Sequence, residues 1–544
     1  MILGAYREIL ASCAPAHPSC TAAPAHRILR LSPKDGVYLD NLGIYRPFSV
    51  RMPKKSLALP DVFVTTAATS KAVSRAVREG VARKIAPRLF TSDLTSDPAR
   101  IVSRNLYQVV SLLAPGTVIS YRTAIESRPA EDGSVFVSAP YERRLELPGA
   151  AIRLVEGPGP LPGDRPLFDV YLASRARALL ECLRPSRARG GVARGLSRAR
   201  IEEELERDLR GGGPDALNRL RDDAGDLVPA LDAAREFDTL HELIGGLLRT
   251  RPVKFTSDVA LARAAGMPYD PDRLARFHEV FAHLRALPPH TIQAPPQSPQ
   301  AFLHCAFFDA YFSNYIEGTK FKVEEAQDIV FHGVLPAARP KDAHDVLGTY
   351  RVVTAPQYVG RGVGDDSPSA FLDRLRAAHR DIMGGRPEER PGEWKQAENM
   401  AGTTVFVHPD LVEGTLRKGI EIVRAVEDPF YRAVAMMFVL SEVHPFGDGN
   451  GRVSRAFMNA EVLSVGQPRI LVPIIVRDEY IIGLRAITRD AYVQTLVEVL
   501  SFGQRLTAAV DFSMYDEALA TLRSVNALEE PRPGVRPRIP AGGQ

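Results

Sequence analysis

Twelve residues near the C-terminal end of the chain, His444 to Arg455, limit its fold and function more than any other stretch. They read His-Pro-Phe-Gly-Asp-Gly-Asn-Gly-Arg-Val-Ser-Arg and lead from a loop into a helix. The glycines let the backbone approach an anion closely. N–H groups at the start of a helix then point at that anion, with the positive end of the helix dipole behind them. The pattern favours a phosphate-binding loop.

The side chains of this run supply further parts of a phosphate site. Asp448 is a hard oxygen ligand suited to Mg²⁺. Arg452 and Arg455 carry planar guanidinium groups that match phosphate oxygens, and their three-residue spacing puts both on one face of the helix. A plain capping turn is the alternative, with Asp448 or Asn450 as N-cap and the arginines in solvent. Capping needs neither the histidine nor two spaced arginines, which favours the phosphate site.

The run resembles the Fic-family signature His-x-Phe-x-Asp/Glu-Gly-Asn-Gly/Lys-Arg-x-x-Arg and matches it at every specified position. The resemblance implies an all-helical C-terminal domain with a small β-hairpin flap. It also implies transfer of part of a nucleotide, usually AMP from ATP, onto a Ser, Thr or Tyr hydroxyl of a target protein. ATP and Mg²⁺ are therefore the expected substrate and cofactor, although UTP, GTP or another diphosphate donor stays open.

The same resemblance assigns a role to each matched residue. His444 would take the proton from the target hydroxyl, for which an unperturbed imidazole pKa of about 6.5 is suitable. Asp448 would hold Mg²⁺ on the α- and β-phosphates. Arg452 would contact the leaving diphosphate, and Arg455 would pair with the γ-phosphate. The anion hole would consist of three consecutive residues, Gly449, Asn450 and Gly451.

A second element, Phe312 to Gly318, lies upstream and reads Phe-Ser-Asn-Tyr-Ile-Glu-Gly. It resembles the inhibitory Ser/Thr-x-x-x-Glu-Gly/Asn motif of many Fic proteins, with Ser313 and Glu317 at the specified positions. The resemblance implies that Glu317 forms a salt bridge with Arg455 and occupies the guanidinium that the γ-phosphate needs. A solvated Glu-Gly at a helix end is the alternative.

The surroundings of the phosphate run indicate helices and one strand. Asp428-Pro429 is a cap followed by a first-turn proline and predicts a buried helix up to Val443. Ala456 to Ser464 continues the helix that begins in the run. Gly402 to Val407 is β-branched and aromatic and predicts a short strand. Fic proteins have near this place a flap that pairs with the target segment by strand addition. An ordinary surface strand is equally consistent.

Near the N-terminus, residues 70–92 predict a helix followed by two short strands. Four apolar residues share one helix face, Ala72, Val73, Ala76 and Val77. The other face carries three cations, Lys71, Arg75 and Arg78. Gly80 ends the helix, and Val81 to Phe90 is expected to turn at Pro87-Arg88. A basic helix followed by a hairpin is the layout of a winged helix.

Together with Leu112 to Glu126, this stretch is similar to the N-terminal part of the AbiEi-type antitoxin family, over about residues 50 to 180. The resemblance implies a toxin-antitoxin setting and binding of duplex DNA through Lys71, Arg75 and Arg78. A protein-binding winged helix with a solvated basic face is the alternative.

The chain is too long for one domain, with 544 residues of which 45% are hydrophobic and 25% charged. We predict a multidomain, mainly α protein with an α+β winged-helix module. The expected parts are a disordered N-terminus (1–28), the AbiEi-like module (29–180), a helical connector (181–295), the Fic domain with its inhibitory helix (296–528) and a disordered tail (529–544). Within the connector, Ser197 to Leu209 is predicted as an exposed charged helix.

Composition indicates in which cellular compartment the protein is expected and which kinds of site it lacks. Four cysteines without a Cys-x-x-Cys pair predict neither a zinc site nor a disulfide framework, so a reducing cytoplasm is expected. No signal peptide or membrane span is expected. A net charge of +4 decides nothing about nucleic acid. The predicted function is an autoinhibited protein adenylyltransferase. The alternative is a DNA-binding regulator, or an antitoxin-like protein, whose Fic domain senses nucleotide. The oligomeric state stays open, a homodimer included.

Overall fold

The computed structural model describes residues 59–186, 191–295 and 297–540, so the predicted disordered N-terminus over 1–28 lies outside the described residues. A three-stranded antiparallel sheet comes first, in the order β1-β3-β2. This sheet and its helix comprise β1 (Val62–Val64), α1 (Ser70–Arg78), β2 (Arg83–Ala86) and β3 (Leu89–Thr91). Arg88, in the turn between β2 and β3, has a positive φ of 67°. The helix and the hairpin after it lie where the sequence places them.

Helix α1 is sparsely packed. Of the four apolar residues on its predicted inner face, only Val73 is buried, and Val77 stays 38% exposed. The helix therefore rests on the rest of the molecule mainly through one side chain and leaves most of its surface in solvent.

A six-stranded mixed sheet follows, in the order β6-β7-β5-β4-β9-β8, with β5 parallel to β7 and β4 parallel to β9. The elements of this unit are α2 (Pro98–Arg104), α3 (Leu106–Leu113), β4 (Val118–Ile119), α4 (Tyr121–Glu126), β5 (Ser134–Ala139), β6 (Arg143–Leu147), β7 (Ala150–Glu156), β8 (Arg165–Leu167), β9 (Val170–Leu172) and α5 (Arg175–Leu183). Strand β5 is buried along its whole length. Its Val135 and Val137 share a core with Val102 of α2 and Val110 of α3.

The connector consists of α6 (Arg198–Leu231), α7 (Ala234–Leu247), α8 (Asp258–Ala264) and α9 (Pro271–Arg285). The helix predicted over Ser197 to Leu209 is present as the start of α6, but its predicted exposure is wrong, because Glu202, Glu204 and Glu206 are buried. Glu202 accepts hydrogen bonds from two backbone N–H groups just before α8, both at 2.7 Å. Glu206 binds Arg263 of α8 at 2.7 Å. Buried carboxylates need such partners, and here the partners fasten α6 to α8.

The C-terminal region is mainly helical. Its elements are α10 (Pro299–Ile316), α11 (Val323–Phe331), α12 (Pro340–Thr354), α13 (Pro368–Met383), β10 (Met400–Ala401), β11 (Thr404–Val405), α14 (Val412–Arg424), α15 (Pro429–Val443), α16 (Asn450–Ser464), α17 (Arg477–Asp490), α18 (Gln494–Ala509) and α19 (Tyr515–Ser524). Helix α15 is deeply buried, with every residue from Ala433 to Leu440 inside. Within the described residues, no helix has the length and apolar character needed to cross a bilayer.

The core around α15 also includes α9 of the connector. Phe277 and Phe281 of α9 stack with ring centroids 6.2 Å apart, and Phe277 meets Phe438 of α15 edge-on at 5.8 Å. The backbone N–H of Asp270 donates to the Thr415 hydroxyl at 2.9 Å. The core therefore extends N-terminal of residue 296, where the sequence places the start of the Fic domain.

The strand predicted over Gly402 to Val407 is instead a two-stranded antiparallel hairpin, because β10 pairs with β11. Gly402, at the turn, has a φ of 61° that suits glycine. Residues 529–540 contain neither helix nor strand. Glu530 accepts a hydrogen bond from Lys320 at 2.7 Å, and Arg538 donates to the Ser524 carbonyl at 2.6 Å. The described part of the tail thus has defined contacts, where the sequence predicts disorder.

Candidate active site

Helix α15 carries His444 to the candidate site. Asp428 caps its start by accepting hydrogen bonds from the N–H groups of Phe430 and Tyr431 at 2.9 and 3.1 Å. His444 ends the helix in the left-handed conformation, with φ 51° and ψ 62°. That conformation costs a residue with a side chain roughly 1–2 kcal/mol. Strained backbone of this kind clusters at functional sites, where the surrounding packing holds it in place.

The contacts of His444 fix its proton. Nδ1 lies 3.2 Å from the Ser441 carbonyl, which can only accept, so Nδ1 carries the hydrogen and Nε2 keeps a free lone pair. The Phe406 ring stacks on the imidazole at 3.9 Å between centroids and 4° between planes. Burial lowers the pKa of His444 to about 4, below the ordinary value assumed from sequence. The imidazole is therefore neutral near pH 7 and able to accept a proton.

The loop after His444 is held by a reciprocal pair of hydrogen bonds and by a histidine of α13. The Phe446 N–H donates to Asn450 Oδ1, and Asn450 Nδ2 donates back to the Phe446 carbonyl, both at 2.9 Å. His379 of α13 stacks on Phe446 at 3.7 Å. Its Nδ1 accepts from the Gly392 N–H at 2.8 Å, so Nε2 is the donor to the Asp448 carbonyl at 3.0 Å. The loop is thus shaped before any ligand arrives.

Gly449 and the start of α16 form the anion-binding part of the loop. Gly449 has a φ of 76°, and a Cβ there would lie 2.7 Å from Met383 Sδ, so both backbone and space demand glycine. Helix α16 begins at Asn450. The N–H groups of a first helical turn have no partner within the helix and carry the positive end of its dipole. This end of α16 can therefore receive an anion.

Arg455 is buried and fully engaged. Its side chain is 3% exposed and its Nη2 lies 2.7 Å from Glu317 Oε1, across 138 positions of sequence. Ser313 contributes twice, because its hydroxyl accepts from Arg455 Nε at 3.0 Å and its carbonyl accepts from Nη2 at 2.9 Å. Both residues come from the end of α10. The ion pair that the sequence predicts between Glu317 and Arg455 is therefore present in the structure.

The Glu317 carboxylate also covers the anion-binding loop. A Cβ on Gly451 would lie 1.9 Å from Glu317 Oε1 and 2.7 Å from its Cδ. The carboxylate thus lies directly against the first turn of α16, in space that a side chain at residue 451 would fill. An oxygen-rich anionic group therefore already occupies the place that the loop geometry offers to a phosphate. The Glu317 side chain is 27% exposed, so solvent reaches this contact.

Arg452, three residues before Arg455, has a different carboxylate partner. Its Nη2 lies 3.2 Å from Asp345 Oδ2 and also contacts the Thr319 hydroxyl at 3.2 Å. Asp345 of α12 is fully buried and is shared with Arg386, whose Nη2 lies at 2.8 Å. Burial raises the pKa of Asp345, and the two guanidinium groups oppose this. Arg452 therefore has a buried anchor, whereas the partner of Arg455 is open to solvent.

Asp448 is the residue that could hold Mg²⁺. Its side chain is exposed in the loop, and one carboxylate oxygen accepts from the Gly449 N–H at 2.7 Å. In the described part of the chain, no group of three or more His, Cys, Asp or Glu residues is arranged to hold a metal. Mg²⁺ usually binds one or two carboxylates and completes its shell with substrate phosphates and water. A single exposed carboxylate beside an anion site fits that mode.

The β10-β11 hairpin lies beside His444. Phe406, which stacks on the imidazole, directly follows β11. Arg273 of α9 donates to the Val405 carbonyl of β11 and pairs with Glu442 of α15. Glu442 in turn accepts from the Thr488 hydroxyl at 2.7 Å. The hairpin is thus tied to the helix that ends in His444.

The structure brings together Ser313, Glu317 and the 444–455 run, but not the three cations of the N-terminal helix. Lys71, Arg75 and Arg78 are exposed on α1, and Arg75 pairs at 2.7 Å with Glu79, which directly follows the helix. Several residues around the site carry no sequence signal, since each is an ordinary residue type far from the run. They are Arg273, Thr319, Asp345, His379 and Phe406. In the sequence alone, an Asp within a helix or a Phe after a strand indicates at most a role in packing.

Comparison with known proteins identifies the class. The model of the Fic/DOC family matches residues 370–461. A Fido domain-containing protein of Dictyostelium discoideum is 32% identical over 104 residues, which are 18% of this chain and 72% of that protein. The chain belongs to the Fic/DOC family.

Longer relatives are matched only in part. Protein adenylyltransferase fic-1 of Caenorhabditis elegans is 24% identical over 184 residues, 33% of this chain and 36% of that protein. Protein adenylyltransferase Fic of Nematostella vectensis is 26% identical over 190 residues, 33% of this chain and 43% of that protein. The chain thus spans less than half the length of these two relatives. A solved fragment of C. elegans Fic-1 has a TM-score of 0.34 at 18% identity, covering 61% of this chain and 90% of the fragment.

Proposed function

We propose that the protein is an adenylyltransferase that moves AMP from ATP to a Ser, Thr or Tyr hydroxyl of a protein. One observation carries the proposal: a neutral imidazole with a free Nε2 ends α15, beside the positive start of α16 and two buried arginines. The names of the partly matched relatives, protein adenylyltransferases, support the same activity. ATP is preferred as donor on that support.

In the proposed reaction, His444 Nε2 takes the proton of the target hydroxyl as its oxygen attacks the α-phosphorus. The new oxygen–phosphorus bond forms while the bond to the leaving diphosphate breaks, and the diphosphate departs with its electron pair. N–H groups of the Gly449 to Gly451 turn stabilise the charge that develops on the α-phosphate. Arg452 and Arg455 stabilise the diphosphate. The chemistry is mostly positioning and charge stabilisation, so the preformed loop supplies much of the rate.

Asp448 would hold Mg²⁺ against the phosphates. The ion would neutralise phosphate charge when bound. The exposed, singly hydrogen-bonded carboxylate supports this assignment.

We propose that Glu317 inhibits the enzyme. Its carboxylate holds Arg455 and lies where a Cβ of residue 451 would be. A γ-phosphate that pairs with Arg455 would have to displace it, and ATP then either fails to bind or binds with its α-phosphorus turned from in-line attack. Ser313 supports the pair by holding the guanidinium from the other side. Partial exposure of Glu317 supports a contact that can open.

We further propose that the β10-β11 hairpin is the surface that receives the target segment. Its strands pair only with each other in the described structure, so β10 keeps an outer edge for strand addition, whereas the Val405 carbonyl of β11 already accepts from Arg273. Met400 and Val405 are 63% and 50% exposed and would contact the added strand. Phe406 follows directly and touches His444, so a hydroxyl on the added strand would be near the base.

Labelling with ATP tests the proposed function. The native chain and the Glu317→Gly variant are incubated with a cell extract and either α-³²P-ATP or γ-³²P-ATP. Label on protein from the α position, and none from the γ position, is expected. Label from the γ position alone would make the chain a kinase. No labelled protein would favour the alternative, a regulator that senses nucleotide without transferring it.

A second proposal concerns the N-terminal module: we propose an AbiEi-like winged helix that binds duplex DNA. Helix α1 followed by the β2-β3 hairpin supports the layout, and three exposed cations on α1 support the ligand. The toxin-antitoxin setting rests on the same support.

A further inference from the structure

A short segment on the outside of α15, Lys395 to Asn399, clasps the backbone around His444. The Lys395 N–H donates to the Pro445 carbonyl at 2.9 Å. Asn399 Nδ2 donates to the Phe446 carbonyl at 3.0 Å. These two carbonyls directly follow His444, so the segment fixes the exit of the strained turn.

The Lys395 side chain fixes the entrance of the same turn. It is 6% exposed, and its Nζ donates to the Val443 carbonyl at 3.3 Å and to Asn399 Oδ1 at 2.7 Å. The carbonyls of a last helical turn lack partners within the helix, and Lys395 supplies one here. Nζ also lies 5.9 Å from the centroid of the Phe406 ring, whose face covers the imidazole.

The charged groups around the two side chains come from several elements. Burial and, to a smaller extent, Arg273 of α9 lower the pKa of Lys395 to about 7, and Glu398 of its own segment opposes this. Burial is also the main cause of the low pKa of His444, and the Lys395 charge adds to it, whereas Glu317 of α10 and Asp448 of the loop oppose it. Lys395 is charged below about pH 7, where His444 takes up its proton. The charge of Lys395 therefore repels the imidazolium over the pH range in which His444 titrates.

We propose that Lys395 is a positioning residue for His444, which holds the carbonyls on both sides of the imidazole and uses its charge to disfavour the imidazolium. The proposal rests on the proposed transfer reaction. It explains why a cation is buried beside a base, an arrangement that burial penalises and that packing alone does not require.

Three variants separate the clasp from the charge, all made in the Glu317→Gly chain. Lys395→Met removes both the charge and the bond to Val443. Lys395→Gln removes the charge and keeps a donor of similar length. Asn399→Ala weakens the clasp and keeps the charge. Lys84→Met, at an exposed lysine of β2, is the matched control.

Each variant is assayed for kcat, for the KM of ATP and for the pH profile of AMP transfer. The titration of His444 is followed by NMR of labelled histidines, with His444→Gln for assignment.

Lys395→Met should lower kcat by about ten- to a hundredfold, since small misplacements of a catalytic group cost this much. The KM for ATP should stay within about twofold, because the expected contacts of ATP lie on the other elements. The acid limb of the profile and the NMR midpoint of His444 should both move to higher pH. Lys395→Gln should show the same shift of the His444 midpoint with a smaller loss of kcat. Asn399→Ala should lower kcat without shifting the midpoint, and Lys84→Met should change neither kcat nor the midpoint.

The proposal is overturned if the His444 midpoint is unchanged in both Lys395→Met and Lys395→Gln. An unchanged kcat in all three variants would overturn it as well. If Lys395→Met melts below the assay temperature, Lys395→Gln decides. If the Glu317→Gly chain transfers no AMP, the proposed function fails by itself, and the NMR midpoint still decides whether Lys395 tunes His444.

Discussion

The arginines of α16 and the cations of α1 differ in the free energy that is needed to remove them from water. Arg452 and Arg455 are each 3% exposed and each binds a carboxylate from another helix. On α1, Arg75 is 70% exposed and its partner, Glu79, is the residue directly after the helix. Removing a guanidinium from water costs several kcal/mol, whereas an exposed one costs almost nothing. A buried cation therefore needs a structural or functional reason, and an exposed one does not.

This difference decides how far each region supports a function. On α16, burial, two carboxylate partners and the glycine turn restrict the site to an anion that can replace one of those carboxylates. On α1, the same residue types fit a DNA surface, a protein surface or plain solvation. Four measurements test that contrast, starting with the largest expected effect.

Replacing His444 by Ala should abolish AMP transfer and leave ATP binding nearly intact. Loss of a general base typically costs about 10²–10⁴-fold in rate, and the N–H groups that receive the phosphates stay in place. Labelling from α-³²P-ATP measures the first effect, and titration of bound nucleotide measures the second. Transfer within a few-fold of the parent would show that His444 is not the base. Circular dichroism should confirm that the variant is folded.

Replacing Asp345 by Asn should destabilise the protein by roughly 3–5 kcal/mol, because it leaves Arg452 buried without its anionic partner, whereas Arg386 keeps Asp342 at 2.7 Å. Urea unfolding measures the change. The matched control is Glu79→Gln, which removes the partner of exposed Arg75 and should leave the unfolding curve unchanged. Equal effects of the two substitutions would remove the contrast between the regions.

The pH profile of transfer should reflect the burial of His444. The imidazole must be neutral to accept a proton, and burial lowers its pKa to about 4. Activity should therefore be constant from pH 7 down to about 5 and fall through about pH 4. An ordinary imidazole would place the fall near pH 6.5. Initial rates in the Glu317→Gly chain measure the acid limb of the profile. A midpoint near pH 6.5 would mean that solvent reaches the imidazole and that burial does not lower its pKa.

Replacing Lys71, Arg75 and Arg78 together by Ala should have the smallest effect, confined to DNA binding. If all three contact phosphates, the dependence of log affinity on log salt should lose up to about 3 in slope. Gel shifts of the full chain on its own promoter, over a series of salt concentrations, measure this. An absent shift at low salt would leave a protein-binding winged helix, and AMP transfer should be unaffected in either case.

Sequence predicts the site where a motif marks the residues, including the distant pair Glu317 and Arg455, and fails where distant partners belong to no motif. The run His444 to Arg455 and the helices on either side of it follow from local spacing, caps and glycines. Asp345, His379 and Lys395 lie far before the run in regions without a motif, so only the fold brings them to the loop.

The same limit explains the wrong picture of the connector. Ser197 to Leu209 looks solvated because it is rich in charge, and no local pattern reveals that Arg263 and the backbone before α8 will bury its glutamates. The residues of the β10-β11 hairpin were misplaced as one strand over Gly402 to Val407, because each strand has only two residues. Elements this short give almost no periodicity.

The ion pair between Glu317 and Arg455 is the central claim, and a four-protein comparison of labelling rates tests it most directly. The proteins are the native chain, Glu317→Gly, Arg455→Ala and the double variant, each assayed with α-³²P-ATP over a range of ATP concentrations. A charge-assisted pair of this kind holds roughly a few kcal/mol, and each 1.4 kcal/mol or so released is about tenfold in competent population. Glu317→Gly should therefore label at least about tenfold faster than the native chain, and the double variant should lose that gain. Equal rates for the native chain and Glu317→Gly at every ATP concentration would contradict the account.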